Sequence, residues 1–304
     1  MALFDGHGMA FVIEGFSVKM LVFSGKKIES WYSAPLNANW VKEGLVASPE
    51  YVGGIMADLV REKRMPRSGV LAALPSAGSG SQVLSLPTLG RLKGRKLNEV
   101  VHRELRRVMP GSGEVDYTYS QPLHGNGVKL KQKVFTLAVP RVNVMSMVET
   151  SHAAGISMKA LELRPFALAR AVGCKSGIIV HGEVDSIEVV VIDKSLPALF
   201  RHISIKETVA NAVPTVETAF QILFRDLPTT IEYYVRMNPD NTSINSETPV
   251  YFSGNLSVEY DAGKNLETAT GRQVSSVEPP LECPANFPLA QYLVNVGLMM
   301  KGNW

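Results

Sequence analysis

The sequence predicts an α/β protein made of two similar halves, with a small α+β unit inserted into the first half. Three observations support this prediction. A strand hairpin and a third strand span residues 9–34, and the same order of short apolar strands and turns returns at 176–205. Between these segments, residues 76–163 change to Gly/Ser turns, more polar strands and a basic helix. Apolar runs bounded by turn residues are typical of strands, and the change in composition indicates a separate unit.

The first subdomain is expected over residues 1–75. Its opening strands are predicted at residues 9–13, 17–23 and 28–34. A helix is predicted at 48–63, because Ser48 is a preferred N-cap and Pro49 is favoured at the first helical position. The uninterrupted apolar run at 69–74, ended by a proline, is typical of a buried central strand.

The inserted unit is expected over residues 76–163, with its last strand at 156–163. Residues 164–175 then return the chain to the first subdomain through a short helix. The second half is expected over 176–304. It is predicted to contain a helix at 216–227, a strand at 231–237 and a last helix at 288–301 that packs back on the core.

Composition excludes several classes of function. The chain has 31 basic and 28 acidic residues and a net charge of +3, which is too small to indicate a nucleic-acid partner. Cys174 and Cys283 have no spacing typical of a zinc site or a disulfide framework. The first residues lack a signal-peptide pattern, and no run reaches the about 18 apolar residues of a membrane span. We therefore expect a cytoplasmic protein.

Five segments occur in the order found in one known family. Residues 13–19 read Ile-Glu-Gly-Phe-Ser-Val-Lys, which is similar to that family's Asp-x-Gly-small-Ser-Val-Lys loop. The other four segments lie at residues 71–75, 154–170, 197–203 and 295–299. Together they resemble PilM-type pilus assembly proteins of the actin-like superfamily. The resemblance implies an actin-like (ribonuclease H-like) fold with subdomains 1A, an inserted 1C, 2A and a reduced 2B.

The resemblance also implies three turns that hold the phosphates and adenosine of ATP. The residues at these places are Glu14, Gly15, Ser17, Lys19, His181, Gly182, Glu183, Ser253 and Gly254. All three turns depart from the family pattern. Phe16 obstructs close approach to a phosphate, a carboxylate at Glu183 repels one, and a single glycine remains in the third turn. We therefore expect vestigial turns, no catalytic residue, no metal site, and neither ATP nor magnesium as a cofactor.

Two other interpretations of these turns remain open. Glu14 and Lys19 are also typical of solvated turn and strand side chains, and His181 of a hydrogen-bonded turn histidine. In the rival hypothesis of an active actin-like ATPase or sugar-kinase relative, Glu14, Ser17 and Lys19 would act on phosphate and magnesium.

The family context implies a partner, namely the cytoplasmic N-terminal tail of a PilN-like inner-membrane protein, held by the inserted unit or its junction with the first subdomain. The protein would then lie at the inner face of the cytoplasmic membrane. Basic residues in the inserted unit add a membrane surface as a second contact or, as a further alternative, RNA. These residues are Arg91, Lys93, Arg95, Lys96, Arg103, Arg106, Arg107, Lys129, Lys131 and Lys133. Two exposed polar faces would give the same pattern. The sequence leaves self-association open.

Overall fold

The computed structural model describes residues 6–87, 96, 99–101, 103–104, 115–123, 131–205, 214–239 and 242–301. The chain divides into two compact units. One consists of Met1–Ala77 with Ser146–Trp304, and the other of Gly78–Met145.

The first half of the larger unit begins the chain. It contains β1 (His7–Glu14), β2 (Ser17–Ser24), β3 (Lys27–Pro35), the short hairpin β4 (Val41–Lys42) and β5 (Leu45–Val46), α1 (Pro49–Glu62) and β6 (Val70–Leu74). The smaller unit holds an antiparallel sheet in the order β7-β9-β8, formed by β7 (Gly80–Pro87), β8 (Val115–Leu123) and β9 (Lys131–Pro140). The chain then continues through α2 (Arg141–Ala153), β10 (Met158–Leu163) and α3 (Arg164–Val172).

The second half of the larger unit contains the remaining elements. These are β11 (Ser176–Gly182), β12 (Ser186–Asp193), β13 (Leu196–Ser204), α4 (Val216–Met237), β14 (Val250–Ser253), α5 (Ala262–Thr270), β15 (Val274–Ser275) and α6 (Leu293–Met299). Short 3-10 helices lie at Asn255–Val258 and Leu289–Tyr292.

The two large sheets have the same topology. The first has the order β10-β6-β1-β2-β3 and the second β13-β12-β11-β14-β15. In each, three consecutive antiparallel strands are followed by two strands added in parallel on the side of the first strand. The strands β1, β2, β11 and β12 are buried almost throughout, as their continuous apolar runs predict. The duplicated α/β architecture predicted from the sequence is therefore confirmed.

The helix α4 corrects one expectation. The sequence predicts a helix at 216–227 and a strand at 231–237, but Val216–Met237 is one helix of 22 residues with Pro228 inside it. Its buried side chains continue at helical spacing beyond the proline, at Ile231 and Tyr234. Burial of this continuous apolar face outweighs the hydrogen bond lost at the proline.

The strand β10 corrects another expectation. The sequence predicts that residues 156–163 belong to the inserted unit, but β10 pairs in parallel with β6 inside the first sheet. The chain therefore rejoins the larger unit within α2, since the smaller unit ends at Met145.

The last helix is shorter than predicted, because residues 289–292 form a 3-10 turn and only Leu293–Met299 is α-helical. All seven residues of α6 are buried. A Cβ at Gly297 would lie 1.9 Å from the carbonyl oxygen of Ala167, so only glycine allows α6 to pack this closely on α3. Asn295 Nδ2 donates to the carbonyl oxygens of Ala10 (3.1 Å) and Lys19 (3.2 Å), which joins α6 to β1 and β2.

The predicted basic surface is only partly described. Lys96 and Arg103 lie in helical segments, and Lys131 and Lys133 lie on β9. Arg91, Lys93, Arg95, Arg106, Arg107 and Lys129 lie outside the described residues. Within the described ranges, no helix combines the length and the apolar character needed to cross a membrane.

Candidate functional site

The structure brings the three predicted turns together between the two large sheets. Glu14 ends β1 and Lys19 lies on β2, so both flank the turn at Gly15. His181 and Gly182 end β11, and Glu183 follows them. Ser253 ends β14, and the turn at Gly254 begins the 3-10 helix Asn255–Val258. The equivalent ends of the two duplicated hairpins therefore face each other.

Lys19 is the centre of this site and is only 3% exposed. Its Nζ donates to Glu14 Oε2 at 2.9 Å and to Glu183 Oε1 at 3.0 Å. A third bond goes to the carbonyl oxygen of Gln291 at 3.0 Å. One ammonium thus joins a carboxylate of each half and uses all three of its protons.

Glu183 accepts two more hydrogen bonds, both from Asn255. The backbone N–H of Asn255 donates to Oε1 at 3.1 Å, and Asn255 Nδ2 donates to Oε2 at 2.7 Å. The side chain of Asn255 is itself oriented, because Gln291 Nε2 donates to its Oδ1 at 3.0 Å. Both oxygens of Glu183 are therefore held, by Lys19 of the first hairpin and by Asn255 next to the third turn.

His181 connects the second and third turns to the first. Its Nε2 donates to Glu14 Oε1 at 2.9 Å, and its Nδ1 lies 2.9 Å from Ser253 Oγ. Ser17 Oγ donates to the carbonyl oxygen of Glu14 at 3.2 Å, within the first turn.

Neither Glu14 nor Lys19 is solvated, so the alternative of exposed side chains is wrong for both. Burial alone would raise the pKa of Glu14, but the charge of Lys19, with His181 and Arg164, holds that pKa well below its usual range. Burial alone would lower the pKa of Lys19, but Glu14 and Glu183 raise it above its usual range. The ion pairs outweigh desolvation for both groups.

The same residues are the candidates for holding a metal. Glu14, His181 and Glu183 each offer one ligand atom, and these atoms lie within 4.8 Å of one another. The Lys19 ammonium, however, lies within 3.0 Å of one oxygen of each glutamate. A divalent cation would have to displace that ammonium, so the donor set fits an internal cation better than a metal.

Glycines allow the turns to approach closely. Gly254 has φ = 83°, and a Cβ there would lie 2.4 Å from the carbonyl oxygen of Gly182. A Cβ at Gly15 would lie 3.2 Å from Glu183 Oε2. The small residues that the resemblance assigns to nucleotide contact are thus in contact with the protein itself.

A second buried network lies beside the first, and it was not predicted from the sequence. Glu43 accepts hydrogen bonds from His202 Nε2 at 3.1 Å and from the Ser204 hydroxyl. Glu188 accepts from the backbone N–H of Ser76 at 3.2 Å and from the Ser76 hydroxyl. It also lies 3.7 Å from His202 Nδ1. This network again joins residues of the first half to the second sheet.

Arg164 lies between the two networks and is 1% exposed. Its Nη2 donates to the carbonyl oxygen of Ile13, and its Nε lies 3.7 Å from Glu14 Oε1. Burial alone would raise the pKa of Glu188, but His202 and the charge of Arg164 hold that pKa below its usual range. Burial raises the pKa of the neighbouring Asp185, whose Oδ2 accepts from the backbone N–H of Glu43 at 3.0 Å.

One sequence signal could have revealed these groups. Lys19 and Glu188 each lie inside a strand whose other interior residues are apolar. A charge inside such a strand is buried and must be paired with an opposite charge or with hydrogen-bond donors or acceptors. The identity of the partners requires the fold, because Lys19 and Glu183 are 164 positions apart.

The second network predicts a pH-dependent stability. Burial would lower the pKa of His202, but the carboxylates of Glu188 and Glu43 outweigh burial and the charge of Arg164, and the pKa rises from 6.5 to about 9. The folded state therefore binds the proton more tightly than the unfolded state. This contribution is fully present below pH 6.5 and is lost as the pH rises towards 9.

We expect the free energy of unfolding to fall by up to about 3 kcal/mol across that window. Urea unfolding at a series of pH values measures this change. The His202→Gln variant, which cannot titrate, should lose most of the slope. An equal slope in both proteins would contradict the assignment.

A separate surface pocket of about 690 Å³ lies where α1 and α2 pack together. It is lined by Ser48, Pro49, Glu50, Tyr51, Val148, Glu149, His152 and Ala153. The two helices contact each other at Gly53, where a Cβ would lie 2.5 Å from Ala153 Cβ. Tyr51 is 62% exposed and stacks on Trp40, with ring centroids 5.1 Å apart. The pocket therefore offers apolar side chains, an aromatic ring stacked on Trp40 and two acids.

The duplicated sheets and the site between them define a protein of the actin-like fold whose cleft is bridged by its own charged side chains. No protein-family model matches the sequence, and no curated protein matches it. Among solved structures, the chain is similar to a PilM-PilN type IV pilus biogenesis complex with a TM-score of 0.76 and 19% identity over 98% of both chains.

Two other solved structures share the fold. The cytoplasmic domain of EpsL, an inner membrane component of the type II secretion system of Vibrio cholerae, gives a TM-score of 0.55 at 11% identity, covering 98% of this chain and 99% of that one. A protein from Bacteroides thetaiotaomicron with an actin-like ATPase fold gives 0.50 at 10% identity, covering 95% and 96%. These likenesses confirm the actin-like fold.

Proposed function

We propose that this protein is a cytoplasmic scaffold of a type IV pilus assembly system, held at the inner face of the cytoplasmic membrane by the N-terminal tail of a PilN-like inner-membrane protein. The observation that supports this most is the agreement with the PilM-PilN complex along 98% of both chains, at a TM-score of 0.76. The similar cytoplasmic domain of a secretion-system membrane component supports the same location.

The buried networks support a scaffold rather than an enzyme. In an actin-like enzyme, the facing turns must be free to hold the phosphates of a nucleotide. Here Lys19 bridges Glu14 and Glu183 across the turns, and Asn255 donates twice to Glu183. The rival class, an active ATPase or sugar-kinase relative, requires that phosphate replace the carboxylate of Glu183 at these donors.

The pocket between α1 and α2 is the proposed docking site for the partner peptide. It combines the start of α1 with residues that the sequence assigns to the end of the inserted unit. Tyr51, fixed by Trp40, offers the kind of rigid aromatic anchor that dominates peptide binding. Glu50 and Glu149 favour a partly apolar peptide that also carries a basic residue.

The experiment is a calorimetric titration with a synthetic peptide of the N-terminal cytoplasmic segment of the PilN-like protein from the same genome. We expect Tyr51→Ala to weaken binding about tenfold or more, because it removes the exposed ring from the pocket. Tyr233→Ala is the matched control, since Tyr233 is 49% exposed on α4 in the other half. Equal affinities for all three proteins would show that the peptide does not bind in this pocket. No binding to the wild type would refute the scaffold proposal.

A further inference from the structure

We propose that the Glu183 carboxylate serves as a built-in anion that occupies an oxoanion-binding site between the two halves of the protein. The site has the chemistry that recognises a phosphoryl group. Removing the carboxylate would therefore create a protein that binds inorganic phosphate or pyrophosphate. This inference rests on the buried network alone and is independent of the proposed peptide partner.

The donors around Glu183 are those of an anion site. Its two oxygens receive an ammonium proton from Lys19, a backbone N–H from Asn255 and an amide proton from Asn255 Nδ2. The three distances lie between 2.7 and 3.1 Å. A lysine with converging backbone and amide N–H groups is a typical arrangement for holding phosphate oxygens.

These donors are also held by groups other than Glu183. Lys19 donates to Glu14 and to the carbonyl oxygen of Gln291. Asn255 is oriented by Gln291 Nε2. The donors are thus supported by neighbours other than the carboxylate that they hold.

The glycine turn around the carboxylate supports the same assignment. Gly15 has φ = 53°, and the absence of a Cβ leaves room for Glu183 Oε2, which would otherwise lie 3.2 Å from that atom. A glycine that allows an anion to approach a turn is a feature of phosphate-binding loops. In this chain the anion that uses it belongs to the second half of the same protein. An ordinary surface ion pair needs neither burial nor this close approach.

The test compares the wild type with Glu183→Ala and Glu183→Gln. Glutamine is the matched control because it keeps the volume of the side chain but not its charge. Thermal unfolding and calorimetry are measured with sodium pyrophosphate, inorganic phosphate or magnesium-ATP, against sodium chloride of equal ionic strength. We expect Glu183→Ala to bind pyrophosphate about tenfold or more tightly than either other protein.

The three ligands distinguish a site for free phosphate groups from a site for a nucleotide. Binding of phosphate and pyrophosphate by Glu183→Ala without preference for magnesium-ATP identifies an oxoanion site, and a preference for magnesium-ATP identifies a nucleotide site. Both support the proposal, provided that adding Asn255→Ala, which removes the amide donor, weakens the binding.

Equal and weak binding by all three proteins would overturn the proposal. If Glu183→Ala does not fold in chloride, refolding in pyrophosphate decides the matter. Recovery of the folded protein by pyrophosphate supports the built-in anion, and failure to recover it overturns the proposal as well.

Discussion

Replacing Lys19 by methionine is expected to destabilise the protein by about 3–5 kcal/mol, because the change leaves Glu14 and Glu183 buried without their shared cation. Glu14 is 0% exposed and Glu183 is 1% exposed, so water cannot compensate either charge. Urea unfolding of the wild type and the variant measures the difference.

An exposed lysine provides the control for this prediction. Lys63 pairs with Glu62 at 2.6 Å, but the two side chains are 35% and 68% exposed. The same substitution at Lys63 should change the free energy of unfolding far less than Lys19→Met does, because solvent screens this exposed ion pair. Similar losses at both positions would show that Lys19 is not the cation on which the two glutamates depend.

A triple variant separates the loss of charge pairing from the loss of packing. Adding Glu14→Gln and Glu183→Gln to Lys19→Met removes both unpaired charges while keeping similar volumes. Replacing every member of a buried ionic group is often far less costly than removing one member. The triple variant should therefore recover a large part of the stability lost in Lys19→Met.

The wild-type protein is expected to bind magnesium-ATP with a dissociation constant in the millimolar range or weaker. Its phosphates would have to replace the Glu183 carboxylate at Lys19 and Asn255. Each hydrogen bond to a charged group contributes about 1.5–3 kcal/mol, so losing two costs about 3–6 kcal/mol. That loss would weaken a site of micromolar affinity by roughly two to four decades, which gives a dissociation constant in the millimolar range.

Titration calorimetry with magnesium-ATP provides the measurement. A dissociation constant in the low micromolar range would contradict this expectation and favour the active ATPase. The proposed scaffold could still bind its peptide in that case, so the two results are independent.

The sequence predicted the duplicated sheets well because their signal is local. A short apolar run bounded by turn residues, such as the one ending at Leu74, is typical of a buried strand, and the turn residues mark where the strand stops. The prediction was wrong where burial in the folded protein, and not the local sequence, decides whether a helix continues. Pro228 indicates a break, yet α4 continues because its apolar face is buried on both sides of the proline.

The structure brings the predicted turn residues close together, but the sequence did not predict the ion pairs between them. The sequence identified Lys19 and Glu183 separately, as a phosphate contact and as an obstacle to phosphate. Their ion pair forms because the ends of two hairpins from different halves lie against each other. The local sequence of either hairpin does not predict this contact. The same reason explains why Glu43 and His202, which are 159 positions apart, were missed.

The burial of α6 determines when the protein can finish folding during its synthesis. Asn295 donates to the carbonyl oxygens of Ala10 and Lys19, which are 285 and 276 positions earlier in the chain. The ribosome therefore releases the first sheet long before the helix that covers it. Contacts of such long sequence separation form slowly, and the uncovered sheet is exposed to proteases and aggregation in the meantime. A chain that stops before Leu293 would lack α6, and its first sheet would stay uncovered.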